Sequence, residues 1–306
     1  MVRVGTANTY NGVTTAIMNK LVDQVTAQNQ VTSGKITRDL AGYGGKAQTL
    51  AANNTARAKT ESSISVLEDV GRQLDSQDLF MNKALDAATA AKQAITQAVG
   101  LASGVNLMTE LQIQFGSLVG ALNGQHEGKY LFSGSKFDTK SVGISNLSEL
   151  GAVAVSSVFQ NDNLAQTSQF DGESTIKIGV LASDFGTAIM TAFKNIQDYV
   201  TANGDFSDPL TAAQNTFLTA QIAVFETARS SMTTQTARNG QINANVQTNL
   251  TTQTERRDFY ESVIGNISDV NEAEAISRVQ RAQAAVQAST EVFIALKSSS
   301  LLNFLR

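Results

Sequence analysis

The stretch that decides the fold is the last one, Glu272–Arg306, which reads EAEAISRVQRAQAAVQASTEVFIALKSSSLLNFLR. It contains neither proline nor glycine, so no residue in it is expected to break a helix. Alternating steps of four and three separate its small and apolar residues Ala275, Val279, Ala282, Val286, Ser289, Phe293, Leu296 and Ser300. This heptad spacing predicts a long helix with one face for pairing with another helix.

The opening stretch, residues 2–32, has a similar character. Val13, Ile17, Leu21 and Val25 follow one another at steps of four, and charged side chains are few. We predict that the two terminal helices pair with each other and with copies from other subunits. The predicted assembly interface consists of Ile17, Leu21, Val25, Val279, Val286, Phe293, Leu296 and Leu301.

The composition favours a folded, helical protein and argues against several classes of function. Of 306 residues, 42% are hydrophobic and only one is proline, which permits long helices. A net charge of −4 offers no basic face for a nucleic-acid backbone. The absence of cysteine excludes disulfides and thiolate metal sites. The sequence contains no run of about 18 apolar residues, so we expect no membrane-spanning segment. No cleaved signal peptide is evident at the N-terminus.

Along the chain, helical patterns flank a middle stretch of a different kind. We predict a mainly α fold, a long antiparallel helical bundle or coiled coil formed by the N- and C-terminal halves, with a small β-rich domain inserted. The predicted parts are an N-terminal assembly helix and loop (1–45), the first half of a helical rod (46–123), the inserted β-rich domain (124–186), the second half of the rod (187–265) and a C-terminal assembly helix (266–306).

The sequence also predicts a seam in the first half of the rod and short strands in the middle stretch. In the first half of the rod, heptad spacing predicts a seam that consists of Ile64, Leu67, Gly71, Leu74, Asp78, Met81, Leu85, Ala88, Lys92, Ile95 and Val99. We interpret Asp78 and Lys92 as packing irregularities. In the middle, strand-like runs are predicted at Tyr130–Phe132, Val153–Phe159 and Thr175–Val180. We also expect that residues 142–183 can be excised without unfolding the helical scaffold.

The sequence offers little for catalysis or cofactor binding. His126 is the sole histidine and lies in a predicted turn, so a transition-metal site has almost no ligands. Asp162 and Asp171 lack the spacing of a recognised calcium loop. No phosphate-cradling motif or catalytic triad stands in recognisable context. We therefore expect no metal, no cofactor and no enzymatic activity.

Four stretches are distinctive in their order along the chain. They are Gln30–Lys35 (QVTSGK), Tyr130–Ser135 (YLFSGS), Phe137–Thr139 (FDT) and the ending Ser298–Arg306 (SSSLLNFLR). Together they resemble the bacterial flagellin family. Within that family the chain is most similar to the FlgL-type hook-filament junction, or hook-associated, proteins. The stretch from Lys35 to Gly45 departs from the family pattern, and the final Arg306 is similar to the end of filament flagellins.

The resemblance implies a structural subunit that joins hook to filament by self-assembly, with the paired terminal helices in an inner tube domain that orders on polymerisation. It implies export through the flagellar type III apparatus to an extracellular flagellum, without a cleaved signal peptide. The implied partners are further copies in a helical assembly, other axial proteins (hook-associated proteins and flagellin) and an export chaperone. Nucleic acid is not among them.

Three alternatives remain open from the sequence. The chain is a flagellin of the filament itself, a surface-binding adhesin with a ligand site in residues 130–185, or a coiled-coil regulator or secreted effector. Imaging of cells that carry a deletion of the gene separates the first from a junction protein, whose loss leaves hooks without filaments and secreted flagellin.

Overall fold

The computed structural model describes the backbone of residues 2–170 and 175–304, and the side chains of residues 11–170 and 175–295. The chain is 76% helical, which confirms the predicted mainly α class. Within the described residues the α-helices are α1 Val2–Ser33, α2 Ala47–Leu101, α3 Leu107–Leu122, α4 Leu147–Ala152, α5 Val155–Val158, α6 Ala182–Asn203, α7 Ala212–Ser268 and α8 Glu272–Phe304. A 3₁₀ helix, Leu40–Lys46, precedes α2.

The described strands form two short antiparallel pairs, β1 Gln125–His126 with β2 Lys129–Tyr130, and β3 Thr167–Gln169 with β4 Thr175–Lys177. The turn between β1 and β2 has positive φ at both central residues, Glu127 and Gly128, as a two-residue hairpin requires. The predicted strand at Val153–Phe159 is wrong, because Val155–Val158 forms the helical turn α5. Its apolar run is too short for periodicity to distinguish a strand from a helix.

Side-chain caps set the beginnings of the last two helices. Gln214 N–H donates to Thr211 Oγ1 at 3.2 Å, and Thr211 N–H donates to Gln214 Oε1 at 3.0 Å. This reciprocal capping box begins α7 after Thr211. The side chain of Asn271 caps the beginning of α8 by accepting a single hydrogen bond from Glu274 N–H at 3.2 Å.

The chain divides into two compact units. The terminal unit comprises Met1–Lys59 and Glu255–Arg306, and its α1 packs along its α8. The central unit comprises Thr60–Thr254. Within the central unit α2 and α7 run antiparallel, because Asp75 contacts Asn243 at 2.7 Å whereas Lys92, further along α2, contacts Glu226 at 2.8 Å.

The main core of the central unit lies among α2, α3, α6 and α7. Phe193 is fully buried there, with its ring edge-on to Phe115 at 5.4 Å and to Phe225 at 5.1 Å between ring centroids. The middle stretch joins the same cluster through Val142, Leu147, Leu150 and Val158. The expected tolerance to excision of residues 142–183 is therefore wrong, because that deletion removes part of the main core.

From Gln77 onward, the seam of α2 differs from the predicted one at every second position. Leu67, Leu74, Met81, Ala88 and Ile95 are buried as predicted, but from Gln77 onward they alternate with the buried residues Gln77, Ala84, Ala91 and Ala98. Each of these four lies one residue before the predicted Asp78, Leu85, Lys92 and Val99. Alanine allows neighbouring helices to approach closely, whereas Lys92 lies at the margin of the seam and binds Glu226.

Candidate assembly interface

The predicted seam of α8 lies against α1. The positions Ala275, Val279, Ala282, Val286, Ser289 and Phe293 are buried or half-buried, while most of the residues between them are exposed. Since α1 is the helix that packs along α8, these side chains form the contact between the two. The heptad pattern of the C-terminal stretch is therefore confirmed as far as Phe293. Leu296 and Leu301 belong to α8, but their side chains lie outside the described residues.

The matching face of α1 follows heptad rather than four-residue spacing. Val13 and Ile17 are half-buried, and the packed face then continues through Gln24, Ala27 and Gln30. Leu21 and Val25 do not lie against α8. Four residues turn a helix by about 400°, so each step of four drifts by roughly 40° and carries these two side chains away from the contact.

Leu21 and Val25 instead belong to an exposed apolar face on the outside of the helix pair. The exposed fractions are 60% for Met18, 41% for Leu21, 63% for Val22 and 55% for Val25. Their spacing of i, i+3, i+4 and i+7 places them on one side of the helix, here called the outer α1 face. Met18 and Val22 were not among the predicted interface residues, although their spacing relative to Leu21 and Val25 was a usable signal. On α8, Ile276, Val292 and Ile294 are also exposed.

A polar clasp fastens the end of α1 to the turn before α8. Lys35 Nζ donates to an oxygen of Asp269 and to Ser268 Oγ, the latter at 3.1 Å. Backbone bonds run from Ile36 N–H to Ser268 O (2.8 Å) and from Val270 N–H to Gly34 O (3.0 Å). The hydrogen bond from Lys35 lowers the pKa of Asp269, so the carboxylate is ionised at neutral pH. The clasp fixes where the two helices begin to run together.

The helix pair also carries a polar cleft of about 430 Å³. Its walls include Lys20 and Asp23, which form an ion pair at 3.1 Å, and Arg278 and Arg281 of α8. Ala27 and Ala282 also line it. The pair α1–α8 therefore presents two different surfaces, an apolar outer α1 face and a charged cleft.

The sequence candidates for chemistry have structural roles. His126 Nδ1 lies 2.8 Å from Ser76 Oγ, beside a cleft of about 630 Å³ in the central unit. Asp162 accepts from the hydroxyl and the N–H of Ser135 and from the N–H of Leu164, and these bonds lower its pKa. It thereby fastens two loops together. Asp171 lies outside the described residues.

In the described part of the chain, no group of three or more His, Cys, Asp or Glu side chains is arranged to hold a metal ion. None of the helices in that part combines the length and the apolar character needed to span a bilayer.

Comparison with known proteins finds similarity in structure alone. No protein-family model and no curated protein matches the chain. A flagellar hook-associated protein from Vibrio parahaemolyticus matches with a TM-score of 0.59 at 16% identity, over 72% of this chain and 96% of the other. FlgL from Bacillus cereus matches with a TM-score of 0.57 at 14% identity, over 70% of this chain and 99% of the other. The fold implied by the sequence resemblance is confirmed.

Proposed function

From the shared fold and the geometry of α1 and α8, we propose that the chain is a structural subunit of the bacterial flagellum that joins the hook to the filament. The subunit assembles with further copies in a helical array, and it contacts hook-associated proteins and flagellin. Its role is structural rather than catalytic. The observation that carries the proposal is the outer α1 face, a contiguous apolar surface on a helix whose opposite side is already packed.

The physical argument rests on what the outer α1 face does in water. Four large apolar side chains, Met18, Leu21, Val22 and Val25, stand side by side and each remains 41–63% exposed. Full burial of one such side chain is worth roughly 1.5 to 3 kcal/mol, so covering this face stabilises an assembly substantially. A contiguous exposed apolar surface is typical of a protein interaction site.

The clasp supplies the second requirement, which is a defined geometry. Lys35 with Asp269 and the backbone bonds of Gly34 and Ile36 hold the start of α8 beside the end of α1. Each subunit then presents the same apolar surface on the same helix pair, and repeating one contact between identical subunits builds a helical array. Val279, Val286 and Phe293 stabilise the pair itself, whereas Leu21 and Val25 contact neighbouring subunits. We place Leu296 and Leu301 in the same interface.

The proposal includes a location and a route. The subunit lies outside the cell in the flagellum, and it reaches that position through the flagellar type III apparatus with an export chaperone. The structural likeness to a hook-associated protein and to FlgL supports a junction role over other flagellar positions.

Immunogold labelling of intact flagella with antibodies against this chain tests the proposal. A junction subunit places gold at one short zone between hook and filament. Gold along the whole filament contradicts the junction role and supports the alternative of a filament flagellin. Gold absent from the flagellum contradicts both.

A further inference from the structure

Two buried amides interrupt the apolar seam between α2 and α7 in the central unit. On α7 the core positions follow one another at intervals of seven residues, as Leu218, Phe225, Met232, Asn239 and Val246. On α2 the corresponding positions include Val70, Gln77 and Ala84. Gln77 is fully buried and Asn239 is 99% buried, since it is 1% exposed. Each amide therefore occupies a place that its neighbours one heptad away fill with apolar side chains.

The amides are poorly satisfied. Asn239 Nδ2 donates to the carbonyl of Leu74 at 3.2 Å, but Asn239 Oδ1 makes no hydrogen bond within the described chain. The same holds for both polar atoms of the Gln77 side chain. A buried amide without partners destabilises the packed state relative to a state in which water reaches it. The seam is therefore weakest at this polar layer.

The polar layer lies between two separate hydrophobic clusters. The main cluster begins at Met81 on α2 and at Met232 on α7. The minor cluster lies on the other side of the layer and consists of Leu67, Val70, Leu74, Ile178 and Val246, with Val66, Phe170, Ile176, Ile242 and Leu250 packed against it. Among the described residues the two clusters have no member in common, and Gln77 and Asn239 lie between them along α2 and α7.

Two further features weaken the minor cluster. Gly240 follows Asn239 in the middle of α7, where glycine lowers helix stability relative to any residue other than proline. The cleft of about 630 Å³ is lined by Val66, Val70 and Ile178, so solvent has access to the edge of this cluster. The main cluster, in contrast, contains the buried phenylalanines Phe115, Phe193 and Phe225.

We propose that the Gln77–Asn239 layer is a built-in boundary at which the central unit opens in two steps. The minor cluster, together with the strands β3 and β4, opens first and as far as the layer. The main cluster stays folded until global unfolding. The layer thus gives the subunit a segment that rearranges without loss of the core beneath it.

Hydrogen exchange measured by mass spectrometry on the full chain tests this inference. In the wild type, the backbone amides of residues 64–74 and 242–250 exchange at least about tenfold faster than those of residues 84–95 and 218–232. Equal protection of the two sets overturns the proposal, and this comparison requires no variant.

A paired substitution assigns the boundary to the amides. The double variant Gln77→Leu, Asn239→Leu joins the two clusters through apolar side chains. The backbone amides of the minor cluster therefore exchange about tenfold or more slowly than in the wild type, and the difference in exchange rate between the two clusters becomes smaller. The control, Gln97→Leu with Asn245→Leu, makes the same chemical changes at exposed positions of the same helices. It is expected to leave the difference in exchange rate between the two clusters unchanged. The role of the layer is overturned if the difference in exchange rate between the two clusters persists in the first variant, or if it decreases equally in the control.

Discussion

Aspartate at Leu21 and Val25 is expected to block assembly without unfolding the subunit. Both side chains lie on the outer α1 face, with 41% and 55% of their surfaces exposed. Because neither packs against α8, the double variant Leu21→Asp, Val25→Asp is expected to melt within a few degrees of the wild type. Surface substitutions of this kind usually change stability by less than about 0.5 kcal/mol.

The expected effect on assembly follows from the area that remains to be buried. The exposed fractions of Leu21 and Val25 together amount to about one fully exposed side chain, worth roughly 1.5 to 3 kcal/mol when a neighbouring subunit covers it. Removing that contribution raises the concentration needed for polymerisation about 10- to 150-fold. Desolvation of two carboxylates increases the effect further.

The assay is sedimentation of polymer formed by the purified chain in ammonium sulfate, with the unpolymerised protein measured in the supernatant. A matched control, Ala16→Asp with Asn19→Asp, adds the same two charges to exposed positions of α1 outside the outer face. The control is expected to polymerise at the wild-type concentration. Wild-type assembly of the first variant, or equal loss in the control, refutes the reasoning.

Three further predictions concern the core, the charge network and the helix pair. Phe193→Ala removes a fully buried ring and is expected to lower the free energy of unfolding by about 3 to 5 kcal/mol in urea titrations, whereas Phe259→Ala, at an exposed position, changes it by less than about 0.5 kcal/mol. Hydrogen bonds from Arg229 and Lys92 lower the pKa of Glu226 from 4.5 to about 2, so the stability that Glu226→Gln removes is fully present above pH 4.5 and disappears as the pH falls to about 2. Melting curves of the wild type and the variant across that range measure this loss. A difference in stability between the two proteins that stays constant with pH contradicts it. Val286→Asp places a carboxylate at a half-buried position in the α1–α8 contact, so limited proteolysis should cut the terminal helices while the central unit stays resistant. Uncut termini contradict this.

The long helices were predictable because each carries its own signal. The predicted helix from Glu272 onward coincides with α8. Heptad spacing over several turns repeats often enough to fix the helix and, in α8, also its packed face. The same argument explains why the seam of α8 was placed correctly as far as Phe293.

Features that depend on the partner helix were not predictable. The four-residue spacing in α1 did not show that Gln24, rather than Leu21, lies in the contact with α8. Whether consecutive contact positions are three or four residues apart depends on the packing of the facing helix. The burial of Gln77 in place of Asp78 was also not predictable. From Gln77 onward, every second position of the α2 seam lies one residue earlier than predicted, so Gln77 is buried and Asp78 is half-buried. The place of Val142 in the main core depends on contacts with residues far away in sequence, and local periodicity carries no information about such contacts.

The most direct test of the central claim is electron microscopy of cells from which the gene for this chain has been deleted, combined with detection of flagellin in the medium. A subunit that joins hook to filament leaves bare hooks and secreted, unassembled flagellin when it is missing, and the wild-type gene restores filaments. Filaments of normal length on the deleted cells contradict the account.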